Sequence, residues 1–155
     1  MTDTPDFIED RYGIDIAADT SAMNATIEGL LRRRVCRNFA DKEIDDGLLN
    51  LLLACAQSAP TKSNLQQYSI IAVRDQDTRQ KIADLVPSMP WMADAPVFLV
   101  FLGDVRRIRR LADSHDHDYA NNNADTFMNA CVDAALAMQM FIVAAESAGL
   151  GCCPI

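Results

Sequence analysis

The sequence predicts a mixed helix-and-strand domain of the α+β class, with a sheet left incomplete in this chain. Only two segments read as strands, residues 68–73 and 96–102, and both are rich in β-branched or aromatic residues. Segments of helical period separate and flank them. One long helix, over residues 124–148, is apolar around nearly its whole circumference. A two-stranded sheet is marginal on its own, and the end, Gly151-Cys-Cys-Pro-Ile155, reads as the entrance to another strand. The expectation is therefore one incomplete domain over residues 21–155, completed by a C-terminal portion, after an acidic lead-in over residues 1–20.

The 155 residues suit one domain or part of one. Half are apolar and 23% are charged, so global disorder is excluded. A net charge of −8, from 14 basic and 22 acidic residues, argues against general nucleic-acid binding. No uninterrupted apolar run reaches the ~18 residues of a membrane span, and the acidic start is unlike a signal peptide. The five cysteines are odd in number, two are adjacent, and no spacing resembles a zinc site. These features fit a reduced, cytoplasmic protein with no membrane or nucleic-acid partner.

In chain order, residues 1–20 hold six acids and one base, Arg11, and read as weakly structured. Thr20 or Ser21 is the expected cap of a helix running to Arg34, with Ile27, Leu30 and Leu31 on its apolar face. Residues 35–43 are irregular. Asp45 is placed to cap a second helix bearing Ile44, Leu48, Leu51, Leu52 and Cys55, which stops before Ala59-Pro60. Residues 61–67 form a polar loop, 68–73 a strand, 75–85 a short helix, and 86–96, with three prolines and Trp91, a loop. Residues 96–102 form a continuous apolar strand, expected to be central and covered on both faces. Residues 105–123 are polar without apolar period, and Asn121-Asn122-Asn123 reads as loop. Asn123 or Asp125 caps the long helix, and Gly149 is placed to end it in left-handed geometry. Its apolar circumference calls for burial on most sides, so a second subunit is inferred. Asp133 and Gln139 within it need partners if buried.

A side-chain catalyst is not evident. GxSxG, HExxH, P-loop and GxGxxG patterns are absent, and His115 and His117 lie in a polar stretch that reads as surface. Chemistry carried by a cofactor remains. Eight of the eleven arginines fall in two clusters, at 32–37 and 106–110, which suits a small anionic ligand. The second cluster reads as loop surface.

Three segments fit together. Arg33-Arg-Val-Cys-Arg-Asn-Phe39 offers guanidinium groups that grip phosphate. Ser58-Ala-Pro-Thr-Lys-Ser-Asn-Leu-Gln66 is dense in hydrogen-bonding groups. Ala144-Ala-Glu-Ser-Ala-Gly-Leu-Gly-Cys-Cys-Pro-Ile155 leaves a helix through two glycines, and Val132-Asp-Ala-Ala-Leu-Ala-Met-Gln139 lies upstream. In order and spacing these resemble the FMN-dependent nitroreductase family, in its oxygen-insensitive NAD(P)H nitroreductase and flavin reductase branch, over residues 24–155. The resemblance implies a three-layer α/β/α sandwich with a central sheet flanked by helices, and a homodimer with FMN at the interface. It implies Arg33, Arg34 and Arg37 at the phosphate and ribityl chain, with Val35 replacing a usual serine and leaving only its backbone to serve. It implies Thr61, Asn64 and Gln66 in a flavin-contacting loop, Met89 to Trp91 against the ring from the other subunit, and Pro154 and Ile155 beside flavin N5. The implied activity passes hydride from NAD(P)H through FMN to a nitroaromatic, quinone or flavin, in ping-pong order. Flavin chemistry of another kind (dehalogenation, oxidation or flavin fragmentation) and a non-enzymatic flavin- or anion-binding module remain the alternatives. Cys152 and Cys153 read as small packing residues, because adjacent cysteines pair only with strain.

Overall fold

The computed structural model describes residues 7–14, 16–120 and 122–155. The first six residues of the acidic lead-in, Asp15, and Asn121 of the triple-asparagine loop lie outside the described residues.

The lead-in is more ordered than its composition suggests. Helix α1 (Phe7–Tyr12) docks on α2 (Ala25–Arg32). Arg32 lies 4.9 Å over the Phe7 ring and pairs with Glu28 at 2.6 Å, while Arg11 donates to the Leu31 carbonyl at 3.0 Å. The α2 helix starts later than expected. Thr20–Ala22 form a separate 3-10 turn, and the cap is Asn24, whose side chain accepts the Thr26 and Ile27 amides. The helix ends at Arg32 because Arg33 turns to extended geometry, with ψ 128°.

Helix α3 (Asp46–Gln57) begins at the expected cap, Asp45, which accepts the Leu48 amide. It buries Leu49, Leu52 and Ala56. Strand β1 (Tyr68–Val73) and helix α4 (Gln76–Asp84, capped by Asp75) follow as expected. A 3-10 turn at Pro90–Asp94 then leads to strand β2 (Phe98–Gly103).

The strands pair antiparallel, from Tyr68 opposite Gly103 to Val73 opposite Phe98. Side chains alternate across the sheet. Ile70, Leu99 and Phe101 face α3 and α6 (Ala124–Ser147), where Phe101 meets Phe141 edge-on at 6.1 Å. Gly103 lets α6 approach, since a Cβ there would sit 3.2 Å from the Ala130 backbone. On the opposite face, Phe98 packs with Met92, Ala83 and Ala93 beneath α4. Helices thus flank both faces, but Ile71 and Leu102 stay 50% and 39% exposed. Strand β2 is therefore not central here. Among the described residues its only strand partner is β1, and its apolar side chains are half-buried.

Residues 105–123 are not wholly irregular. They form helix α5 (Arg106–Ser114), with Asp104 accepting the Arg106 amide at 2.9 Å. His115 ends it, and both histidines are exposed.

Helix α6 is capped by Asn123 and ended by Gly149 at φ +80°. By length and composition it could cross a membrane, with mean hydropathy 1.6 over an 18-residue window. It nonetheless packs on α3 and both strands and carries Asp133 at 0% exposure. Its burial is one-sided. Phe127, Met128, Val132, Leu136 and Met140 are 37–67% exposed, and Gln139 is exposed rather than buried. Residues 151–155 form no strand. They lie outside any helix or strand, held by the Cys36 amide donating to the Cys152 carbonyl at 3.0 Å.

Candidate functional site

The extended segment after α2 carries Arg33, Arg34, Val35 and Arg37. The Cys36–Cys152 backbone bond ties it to the segment carrying Pro154 and Ile155. Gly151 makes this approach possible, since a Cβ there would lie 2.6 Å from both Cβ and Sγ of Cys36. Arg33 is half-buried, with Nε 3.2 Å from Glu146 Oε1 at the end of α6. Neither atom is aligned for a hydrogen bond, and both are buried without one. Arg34 folds back on the Leu31 and Arg33 carbonyls. Arg37 lies 6.0 Å over the Trp91 ring, which also meets Phe39 at 6.3 Å. Val35 is 46% exposed. Trp91, Pro154 and Ile155 line a cleft of about 800 Å³ floored by Phe101 and Phe141.

Burial pushes the Cys152 thiol up to about 11, with the Glu146 carboxylate adding to it and Arg33 opposing. A thiol so protonated is a poor nucleophile, which agrees with its reading as a packing residue.

The second group sits in the loop before β1. Thr61 precedes a 3-10 turn at Lys62–Asn64, and its Oγ1 accepts the Gln66 amide at 3.3 Å. Ser63, Asn64 and Gln66 all hold left-handed φ, at 52°, 54° and 49°. Such geometry costs non-glycine residues energy and persists only where surroundings impose it. Here Asp133 imposes it. Its buried carboxylate accepts the Lys62 amide at 3.0 Å and the Gln67 amide at 3.1 Å, while Gln67 itself is 1% exposed. The partner expected for Asp133 is thus this loop.

The candidate residues therefore do not converge on one pocket of the chain. Arg33, Arg34, Val35, Arg37, Trp91, Pro154 and Ile155 gather near the C-terminal end of α6. Met89 precedes Trp91 at the head of the 3-10 turn, packed on the Met92 cluster. Thr61, Asn64 and Gln66 gather near Asp133. Asp133 and Glu146 are thirteen residues apart on α6, about 20 Å at 1.5 Å per residue.

The sequence reading missed Arg107. Its guanidinium donates to the Gln66 carbonyl, so the second basic cluster is not all loop surface. The Asp104 amide donates to the Gln67 carbonyl at 2.9 Å. The Ser69 hydroxyl, donating at 2.7 Å, holds the Asp104 carboxyl below its usual range, helped by the Arg106 amide and the nearby arginines. An antiparallel pairing drawn between the two apolar strands would have signalled this, because its register sets residues 66–67 opposite 104 and the helix beyond.

An antiparallel strand pair packed on α3 and α6, with arginines near one end of α6 and a strained polar loop near Asp133, defines an α+β scaffold. The chain belongs to the nitroreductase family, which matches over residues 30–90 and 86–155. It is 36% identical over 135 residues to an FMN reductase [NAD(P)H] of Bacillus subtilis, covering 86% of this chain and 54% of that protein. It is 33% identical over 129 residues to an oxygen-insensitive NADPH nitroreductase of Salmonella typhimurium, covering 83% and 52%. The solved structure of Bacillus megaterium NfrA2 superimposes with a TM-score of 0.80 at 32% identity, over 83% of this chain and 53% of that one. The chain thus spans about half the length of these relatives.

Proposed function

We propose that this chain forms part of an FMN-dependent NAD(P)H oxidoreductase, working as a homodimer on a small electron acceptor such as a nitroaromatic, quinone or flavin. One observation carries the reading. The arginine segment is tied by the Cys36–Cys152 backbone bond to residues 151–155, and Arg37 lies over Trp91, so cations sit beside an apolar cleft that Cys36, Trp91, Pro154 and Ile155 line. This donor set fits FMN. A phosphate dianion suits Arg34 and Arg37, neither of which pairs with a carboxylate among the described residues. The buried Arg33 Nε lacks a hydrogen-bond acceptor, which a ribityl or phosphate oxygen would supply. The relatives' names, FMN reductase and NADPH nitroreductase, support the same cofactor and reductant.

FMN, when bound, supplies a two-electron carrier between NAD(P)H and the acceptor. The chain's own residues bind and orient. Arginines 33, 34 and 37 neutralise phosphate. Thr61, Asn64 and Gln66 present side chains on a rigid loop. Trp91 and the apolar cleft wall exclude water from the ring side. The backbone amide of Ile155 would supply electrostatic stabilisation of added negative charge. No side chain is assigned acid–base work.

The dimer follows from spacing. An FMN held by both groups of residues needs one group from each of two copies, because on one chain they lie about 20 Å apart along α6. The exposed apolar stripe of α6, from Phe127 to Met140, runs past the Asp133 end of this span and supplies the contact surface. The five cysteines are free, and a reducing cytoplasm is part of the proposal.

The test is flavin titration by fluorescence quenching, then anaerobic NADPH addition. Saturable FMN binding followed by bleaching supports the reading. Binding without bleaching would point to a flavin-binding module, and failure to bind FMN defeats the proposal.

A further inference from the structure

We propose that Arg107, which no binding motif of the sequence includes, is a positioning residue for the loop at residues 61–67. The inference rests on the FMN reading above for what the loop contacts, and on geometry alone for what Arg107 does to the loop. Three of the loop's residues, Ser63, Asn64 and Gln66, are non-glycine residues in left-handed backbone. Something must hold them there.

The hold comes from two sides. Asp133 accepts the Lys62 and Gln67 amides and pins both ends of the loop to α6. Between them, Arg107 on the first turn of α5 draws in the Gln66 carbonyl, which also accepts the Tyr68 amide at 2.8 Å. The Gln66 carbonyl and the Gln67 amide belong to one peptide group, so that group is held at both ends, its N–H by Asp133 and its carbonyl by Arg107. Arg107 is the exposed half of this clamp and helps fix the direction of the Gln66 side chain. Helix α5 is itself anchored, because Asp104 donates its amide to Gln67 and accepts from the Ser69 hydroxyl and the Arg106 amide. The guanidinium thus starts from a fixed base.

The neighbouring arginines do other things. Arg109 turns to the Asn122 side chain and lies 5.8 Å over the Tyr119 ring. Arg106 and Arg110 make no side-chain hydrogen bond among the described residues. Arg107 is also exposed, so its loss opens no core cavity and water can replace it on the carbonyl. Its removal should loosen the loop without unfolding the domain.

The test compares the parent with Arg107→Met, Arg107→Lys and Arg106→Met. Each is titrated with FMN, and with riboflavin at the higher concentrations it requires. Hydrogen exchange is measured on the flavin-free proteins. The Met variant at 107 is expected to lose affinity for both flavins by a similar factor, about tenfold for one charge-assisted hydrogen bond. A loop serving the ring and ribityl end is indifferent to the phosphate. The Lys variant, which still offers a donor, should recover most of this, and Arg106→Met should match the parent. Amides of residues 62–67 should exchange faster in Arg107→Met, with α3 and α6 unchanged. Unaltered loop exchange overturns the inference, as does a loss confined to FMN, which would make Arg107 a direct phosphate ligand. Faster exchange throughout the core also overturns it. If the parent takes up no flavin, the FMN reading fails, while the exchange arm still decides the role of Arg107.

Discussion

At the scale of single residues, the three arginines of the proposed phosphate motif are not equivalent. Arg33 already faces Glu146 at 3.2 Å, so removing it leaves that half-buried carboxylate without its cation, besides removing a proposed phosphate contact. Among the described residues Arg37 lies over the Trp91 ring and pairs with no carboxylate, which makes it the cleaner probe. Arg37→Ala should weaken FMN binding by ~10- to 150-fold, the loss of one charge-assisted hydrogen bond at ~1.5–3 kcal/mol. Riboflavin affinity should not change, and fluorescence titration of both flavins checks this. The cysteines offer a second test. Cys152 has a thiol raised to about 11, whereas Cys131 is exposed on α6. Iodoacetamide at pH 8 should modify Cys131 in the dissociated chain while Cys152 stays unmodified, as read by peptide mass. Because the raised thiol favours the protonated folded state, its stabilising effect is full below the ordinary value of 9.0 and is lost as pH climbs through 11.

At the scale of elements, local capping chemistry was legible and long-range pairing was not. The caps Asp45 and Asn123 and the glycine stop at 149 were read from sequence, because each acts within four residues, whereas Asp75, read as the first residue of its helix, proves to be the cap. Helix α2 was misplaced because Thr20 and Asn24 both suit a cap, and the 3-10 turn at Thr20–Ala22 took the first. Helix α5 was missed because four arginines in its first five residues hide the spacing of Ile108 and Leu111. The arginine and loop motifs were legible as motifs, but their separation along α6 depends on tertiary packing that no local pattern encodes. The tie between Asp104 and the loop also predicts a pH response. Its carboxyl is held below 3.8, so the stabilisation it provides is present above that value and is lost as pH falls through the lower folded value. Loop amides should lose exchange protection in that acidic window before the α3–α6 core does, and Ser69→Ala should shift the onset to higher pH. Gly151→Ala tests the other rim. Its Cβ meets Cys36 at 2.6 Å, so the Cys36–Cys152 bond must open, at ~1–3 kcal/mol of overpacking strain. A thermal melt matching the parent would contradict that account.

At the scale of the whole molecule, the apolar stripe of α6 is the feature that most needs a partner. Exposed Phe127, Met128, Val132, Leu136 and Met140 form a larger apolar surface than scattered exposure explains. Ala135 lies on this exposed side, whereas Met138 is half-buried on the cleft wall. A charge at Ala135 should therefore dissociate the proposed dimer without disturbing the fold, whereas one at Met138 should disturb the cleft as well. Light scattering combined with circular dichroism separates the two, and a parent that scatters as a monomer at all concentrations would defeat the dimer. If the proposed flavin site is shared between two copies, the division of its groups along one helix would couple cofactor uptake to self-association. A ligand bridging two copies binds the pair and not the single chain, so it acts as a linked effector of assembly. Apparent flavin affinity would then rise with protein concentration. At a hundredfold excess over its dissociation constant, flavin would stabilise the pair by ~2.7 kcal/mol. The same preparation would be yellow when concentrated and would release its colour on dilution.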